Sequence, residues 1–176
     1  VVNASEAVLK TASKITSVTK TFPLDGSGIT DWLRALRVHQ WLKNLLLFVP
    51  LLAAHQLDNI QSLSSLVIAF ISFSLCASSV YITNDLFDLE SDRNHPRKRF
   101  RPFASAKLPI VYGIVIVPLL ISLSTALGAV VSSDFLIVLL LYLLLTVVYS
   151  LVLKRLALVD CLTLATLYTV RIIAGA

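Results

Sequence analysis

Three aspartates, Asp85, Asp88 and Asp92, recur at i, i+3 and i+7 directly behind an apolar run long enough to cross a bilayer. On a helix that spacing puts all three on one face within two turns. Asn84, one turn before Asp88, adds an amide oxygen to the same stripe. A carboxylate at mid-span of a membrane helix costs roughly 2.5–3.5 kcal/mol, so three at its mouth require a compensating role. Hard divalent cations prefer carboxylate and amide oxygens, and Mg²⁺ commonly takes one or two carboxylates together with substrate phosphates. Arg93, Arg97, Lys98, Arg99 and Arg101 follow at once, five cations in nine residues, with His95 among them. Arginine grips phosphate oxygens bidentately and lysine as a point charge, which makes Lys98, Arg99 and Arg101 a clamp for a diphosphate. Acid stripe followed by basic block reads as a metal–diphosphate site. Mg²⁺ is expected on Asp85, Asp88 and Asp92, the residues that carry the chemistry, with Asn84 assisting. Lys43, beside Asn44 at the end of an earlier apolar segment, can reach the same cavity or snorkel to the interface. A glycine-rich phosphate loop is absent, because the chain has only five glycines and none cluster.

The elements that hold these residues are membrane helices. The chain has 176 residues, of which 57% are hydrophobic and only 14% charged, and its mean hydropathy is +0.85. Soluble domains carry about 25% charged residues, so this is an integral membrane protein. Leu63–Thr83, Leu108–Ser133 and Phe135–Leu153 contain no charge and each can cross a core of about 30 Å. Trp32 to Leu57 is expected to form a further helix, its first turns interfacial with Trp32, His39 and Trp41 in the aromatic belt. Leu156–Ala176 is a fifth candidate and carries Asp160 and Arg171 on one face. Arg171 either faces the bundle or marks the far interface, and Tyr149 either lines the pocket or belongs to the belt. The second span should continue as one helix to about Asp92 and end at His95, because the residue before Pro96 avoids helical angles.

Charge placement orients the bundle. Arg34, Arg37 and Lys43 precede the first span, Arg93–Lys107 follows the second, and Lys154 and Arg155 follow the fourth. The intervening loops, Ala54–Ser62 and Ser132–Asp134, hold no Lys or Arg. By the positive-inside rule the basic loops are cytoplasmic. Cys76 and Cys161 lie in apolar spans and show no metal or disulfide spacing. Residues 1–30 differ from the rest: Ser5 can cap a helix Glu6–Lys14, Pro23–Gly28 reads as a linker, and no apolar core of a signal peptide is present. The chain lacks methionine and stops within Ile172–Ala176, so it reads as a fragment.

The run Asn84-Asp85-x-x-Asp88-x-x-x-Asp92 at the end of a second span resembles the UbiA superfamily of intramembrane prenyltransferases. Val38-His39-Gln40-Trp41-Leu42-Lys43-Asn44 and Asp92–Pro102, with its His95-Pro96-x-Lys98-Arg99 core, look most like the branch that uses phosphoribosyl diphosphate and decaprenyl phosphate. Relatives acting on aromatic rings or haem usually have an Arg-Thr pair there. The resemblance covers about Trp32–Ala176, while residues 1–24 faintly resemble the end of a haloacid-dehalogenase-like phosphatase domain. Ala106 stands where the family commonly has glycine. A second Asp-rich motif on a later helix is not part of this sequence.

The resemblance implies an all-α bundle of nine transmembrane helices, about five of them in residues 31–176, in a bacterial plasma membrane with the active-site loops cytoplasmic. It implies Mg²⁺-dependent transfer of 5-phosphoribose from phosphoribosyl diphosphate to a polyprenyl phosphate, with lipid and diphosphate-bearing donor as partners and no nucleic acid. One rival is prenyl transfer from a polyprenyl diphosphate to an aromatic acceptor. A rival of another class is a cation transporter, opposed by the clustering of the acids at one end of the span.

Overall fold

The structure is a computed structural model that describes residues 6–17, 28–55, 58–151 and 157–176. Its elements are α1 (Glu6–Ile15), α2 (Ile29–Ala35), a 3-10 segment Val38–Phe48 running into α3 (Val49–Ala53), α4 (Ile60–Phe87), α5 (Leu89–Asn94), a 3-10 turn Lys98–Phe100, α6 (Ile110–Val131), α7 (Ser133–Leu151) and α8 (Ala157–Ala174). No strand occurs among the described residues. The all-α membrane architecture expected from the sequence is the one the chain forms, and α4, α6 and most of α7 are long and apolar enough to cross a membrane. The cap at Ser5, most of the linker at Pro23–Gly28, and Lys154 and Arg155 lie outside the described residues.

Helix α4 is the spine. Asn59 starts it, its side chain accepting from the amides of Gln61 and Ser62. With 28 residues it is about 42 Å long, more than the roughly 30 Å hydrocarbon core, so its last turns carry the acidic motif beyond the apolar layer. Between lipid-like surfaces helices associate through close packing and hydrogen bonds rather than hydrophobicity. Three serines, Ser72, Ser74 and Ser78, make such bonds here, while Ser79 bonds the Cys76 carbonyl of its own helix. Ser72, Ser74, Ser78 and Ser79 are fully buried. Ser72 Oγ donates to the Ser124 carbonyl at 2.8 Å and Ser124 Oγ donates back to the Ser72 carbonyl at 2.7 Å, which fixes α4 against α6. Gly113 lets α6 come close: a Cβ there would stand 3.0 Å from the Phe103 ring.

The first membrane segment departs from the single helix expected over Trp32–Leu57. Helix α2 stops at Ala35, Arg37 adopts a left-handed conformation (φ 50°, ψ 46°), and Val38–Phe48 is 3-10. A non-glycine residue there costs roughly 1–2 kcal/mol and persists where its surroundings impose it. They do so: Ser78 Oγ donates to the Leu36 carbonyl at 2.7 Å, Trp41 Nε1 donates to Ser78 Oγ at 3.0 Å, and Asn44 Nδ2 donates to Ser74 Oγ at 2.9 Å. The tighter winding also lengthens the segment. At about 2.0 Å per 3-10 residue and 1.5 Å per α residue, Val38–Ala53 reaches about 30 Å, where an α-helix would reach about 24 Å. Trp41 is thereby pinned to α4 rather than standing in a belt.

The second departure lies at the acidic motif. Helix α4 ends at Phe87, Asp88 forms a joint (φ −87°, ψ 9°), and α5 resumes at Leu89. The expected stop is met: His95 is extended ahead of Pro96. Beyond Pro102 the chain turns back, the Leu108 amide donating to the Pro102 carbonyl, and Ala106 sits at φ 59°. That left-handed position is one glycine fills without strain. Ala106→Gly should therefore stabilise the folded state by about 1 kcal/mol, read as a rise in the midpoint of denaturant unfolding in detergent.

Candidate diphosphate site

The joint at Asp88 decides which acids meet. Asp85, in the last turn of α4, and Asp92, on α5, are 3% and 1% exposed, and both turn toward the Arg101 guanidinium. Arg101 Nη1 lies 2.6 Å from Asp92 Oδ2 and 3.2 Å from Asp85 Oδ1. Arg37 Nη2 reaches the same Asp85 oxygen at 2.6 Å. Phe103, Leu108 and Ile82, all fully buried with Ala35, pack beneath this cluster and hold α2 and the loop after Pro102 against α4. Lys107 Nζ, 3.7 Å from Asp31 Oδ1, ties the same loop to α2. Asp88 is half-buried at the joint.

Two cavities flank Asp85. The outer one, about 390 Å³, is lined by Arg34, Arg37, His39, Asp85, Arg97 and Arg101 among others. The inner one, about 310 Å³, runs down between α4, α7, α8 and the 3-10 segment, with Arg37, Lys43, Asn84, Tyr149 and Arg171 in its walls. Among the described residues no aspartate or glutamate lines it. Tyr149 is a cavity residue, and its hydroxyl donates to Asp160 Oδ1 at 2.6 Å.

Arg171 lies inside the bundle, not at the far interface. It is 5% exposed, and its guanidinium donates to Asn44 Oδ1 at 2.9 Å, to the Leu167 carbonyl at 2.7 Å and to Tyr142 Oη at 2.9 Å. Asn44 in turn meets Ser74, eleven residues and about 16 Å along α4 from Asp85. Gly175, one turn further, permits close contact: a Cβ there would clash with the Leu47 carbonyl oxygen.

The sequence-predicted residues thus divide. Asp85, Asp92 and Arg101 form one cluster, and Asn84 and Lys43 face the inner cavity. Lys98 and Arg99 are exposed on their turn and line neither of these two cavities, whereas Arg97 lines the outer one. His95 shapes that turn by accepting the Arg97 and Lys98 amides at Nδ1. Arg37 is the member of this cluster that spacing missed, since it stands 48 positions from its partner Asp85.

Among the described residues no three His, Cys, Asp or Glu side chains converge as a ready metal-ligand set. The carboxylate pair nonetheless fits a hard divalent ion. Asp92 Oδ1 is fully buried and accepts no hydrogen bond, a state worth roughly 1–3 kcal/mol of lost solvation, and Asp85 stands across Arg101 from it. Two carboxylates with an open acceptor position are what Mg²⁺ takes alongside substrate phosphates.

A membrane bundle whose acidic pair sits between arginine-lined cavities defines the class, and its backbone follows solved structures of that kind. The chain superposes on a UbiA homolog from Archaeoglobus fulgidus bound to DMAPP and Mg²⁺ with a TM-score of 0.68 and 22% identity, over 82% of this chain and 53% of that one. The same homolog bound to GPP and Mg²⁺ gives 0.66 at 23% identity, over 82% of this chain and 52% of that one. Residues 45–176 match the UbiA prenyltransferase family, and the chain belongs to that family. It is 41% identical over 155 residues to the uncharacterized protein y4nM of Sinorhizobium fredii, covering 87% of this chain and 30% of that protein. It is 37% identical over 149 residues to the decaprenyl-phosphate phosphoribosyltransferase of Mycobacterium tuberculosis, covering 81% and 48%. With nodulation protein NoeC of Azorhizobium caulinodans it shares 39% over 142 residues, covering 81% and 46%. The chain therefore spans less than half the length of these relatives.

Proposed function

We propose that the protein transfers 5-phosphoribose from phosphoribosyl diphosphate to a polyprenyl phosphate at the cytoplasmic face of a bacterial plasma membrane. The buried pair Asp85 and Asp92, bridged by Arg101 and with one Asp92 oxygen unpaired, carries this reading. Asp85, Asp88 and Asp92 would hold Mg²⁺, with Asn84 assisting. When bound, the ion neutralises charge developing on a departing diphosphate. Arg34, Arg97 and Arg101 around the outer cavity supply further cations to that diphosphate. Lys98 and Arg99, on the adjoining turn, serve the 5-phosphate that distinguishes this donor. The acceptor's phosphate oxyanion attacks the anomeric carbon, and the bond from that carbon to the diphosphate oxygen breaks. A general base is unnecessary because the nucleophile is already ionised. Lys43 and Arg171 bring positive charge to the inner cavity, where an anionic head can approach along the membrane helices. Relatives named as decaprenyl-phosphate phosphoribosyltransferases, at 33–37% identity, support this donor and acceptor.

The test supplies membranes containing the protein with labelled phosphoribosyl diphosphate or labelled polyprenyl diphosphate, each with its acceptor. Label should enter lipid from the ribose donor, in a Mg²⁺-dependent manner. Label passing from the prenyl donor to an aromatic acid would replace this reading with prenyl transfer.

A further inference from the structure

Arg37 is the residue the inner and outer cavities share. Its guanidinium rests 4.8 Å from the Tyr81 ring centroid while Nη2 bonds Asp85 at 2.6 Å. The two carboxylates are served unequally. Asp85 Oδ1 receives both Arg37 and Arg101, whereas Asp92 Oδ1 is buried and receives nothing. Both guanidiniums therefore stand on Asp85, the carboxylate that a divalent ion at Asp92 Oδ1 would share. Arg101 is tied to Asp92 as well, whereas among the described residues the ion pair of Arg37 is to Asp85 alone. Arg37 is a quarter exposed and stands where the backbone turns between α2 and the 3-10 segment. Arg37 and Tyr81 both line the inner cavity, whose walls also carry Lys43 and Arg171.

We propose that Arg37 occupies Asp85 in place of a divalent cation and, displaced by that cation, swings into the inner cavity to complete an anion site for a phosphate-bearing substrate. The exchange rests on the metal–diphosphate reading above and adds an ordering to it. Asp85 exchanges one cation for another, and the released arginine joins Lys43 and Arg171, which line that cavity. Metal and anion then bind cooperatively, and each must raise the affinity for the other by the same factor.

Free Mn²⁺ measured by electron paramagnetic resonance, with the protein in nanodiscs, reads the exchange without reference to turnover. Inorganic phosphate should tighten Mn²⁺ binding in the unsubstituted protein. Arg37→Gln should bind Mn²⁺ alone about tenfold more tightly, and the enhancement by phosphate should shrink about tenfold, the size of a charge-assisted contact. Arg37→Gly must behave alike. Glycine relieves the left-handed backbone at this position, so a shift common to both variants does not come from damaged folding. Asp85→Asn should lose Mn²⁺ binding. Unchanged or weaker Mn²⁺ binding in either Arg37 variant, with the Asp85→Asn loss intact, overturns the exchange and leaves the metal reading standing. Full Mn²⁺ binding by Asp85→Asn overturns both.

Discussion

Asp85→Asn and Asp92→Asn will each lower the rate of transfer by about 10²-fold or more, while Asp134→Asn, at the opposite end of the bundle, will leave it nearly unchanged. The reasoning is electrostatic. Each substitution keeps the shape and one acceptor oxygen but removes a unit of negative charge from a buried site, so a divalent ion loses a hard ligand and the leaving diphosphate loses its neutralising partner. Removal of one preorganised charge-stabilising group from an active site costs about 10²–10³ in rate. Asp134 is exposed, in the first turn of α7. Initial rates in membranes, normalised to the amount of folded protein, decide the matter. Equal losses at Asp134 and Asp92 would mean that the acids act through stability rather than chemistry.

The second large effect is on stability and lies about 16 Å deeper along α4. Arg171 is a buried guanidinium whose hydrogen-bond partners among the described residues are neutral: Asn44, Tyr142 and the Leu167 carbonyl. Asn44→Leu strips it of a charge-assisted hydrogen bond worth roughly 1.5–3 kcal/mol and leaves Ser74 without its Asn44 contact, worth about 1 kcal/mol. A loss of about 3 kcal/mol in unfolding free energy is expected. Arg171→Met, which unpairs Asn44 instead, should cost a similar amount. Combining the two substitutions replaces both polar partners by apolar ones, and such swaps are nearly neutral. The double variant should therefore be more stable than the sum of the single losses predicts, with a coupling energy within the 0.5–3 kcal/mol range of contacting residues. Additive losses would show that Arg171 and Asn44 act separately.

These two sites were unequally legible in the sequence. The apolar runs that became α4, α6 and α7 contain no charge, so their existence and approximate ends were plain. The acids of α4 and α5 announced themselves by standing at the end of such a run. What spacing could not supply was the bend. Asp88 has no glycine or proline beside it to announce a joint, yet the helix breaks there, and Asp85 and Asp92 on either side of the break share Arg101. Arg37 is similar: nothing in Leu36-Arg37-Val38 foretells a left-handed residue, because contacts to Ser78 and Asp85 impose it. One signal went unused. Ser72, Ser74, Ser78 and Ser79 interrupt an otherwise apolar span, and hydroxyls so placed look for partners on neighbouring helices. Following Ser74 and Ser78 would have led to Asn44, Trp41 and the 3-10 segment. The basic turn misled for a simpler reason: adjacent residues point in different directions, so Arg97 and Arg101 reach the outer cavity while Lys98 and Arg99 do not line it.

The existence of a metal–diphosphate site is tested most directly by crystals of the protein soaked with Mn²⁺ and diphosphate, imaged by anomalous diffraction. One strong anomalous peak is expected between the carboxylates, about 2.1 Å from Asp92 Oδ1, with Arg37 withdrawn from Asp85. A peak held by other residues, or no peak while Arg37 and Arg101 keep their contacts to Asp85 and Asp92, would contradict it.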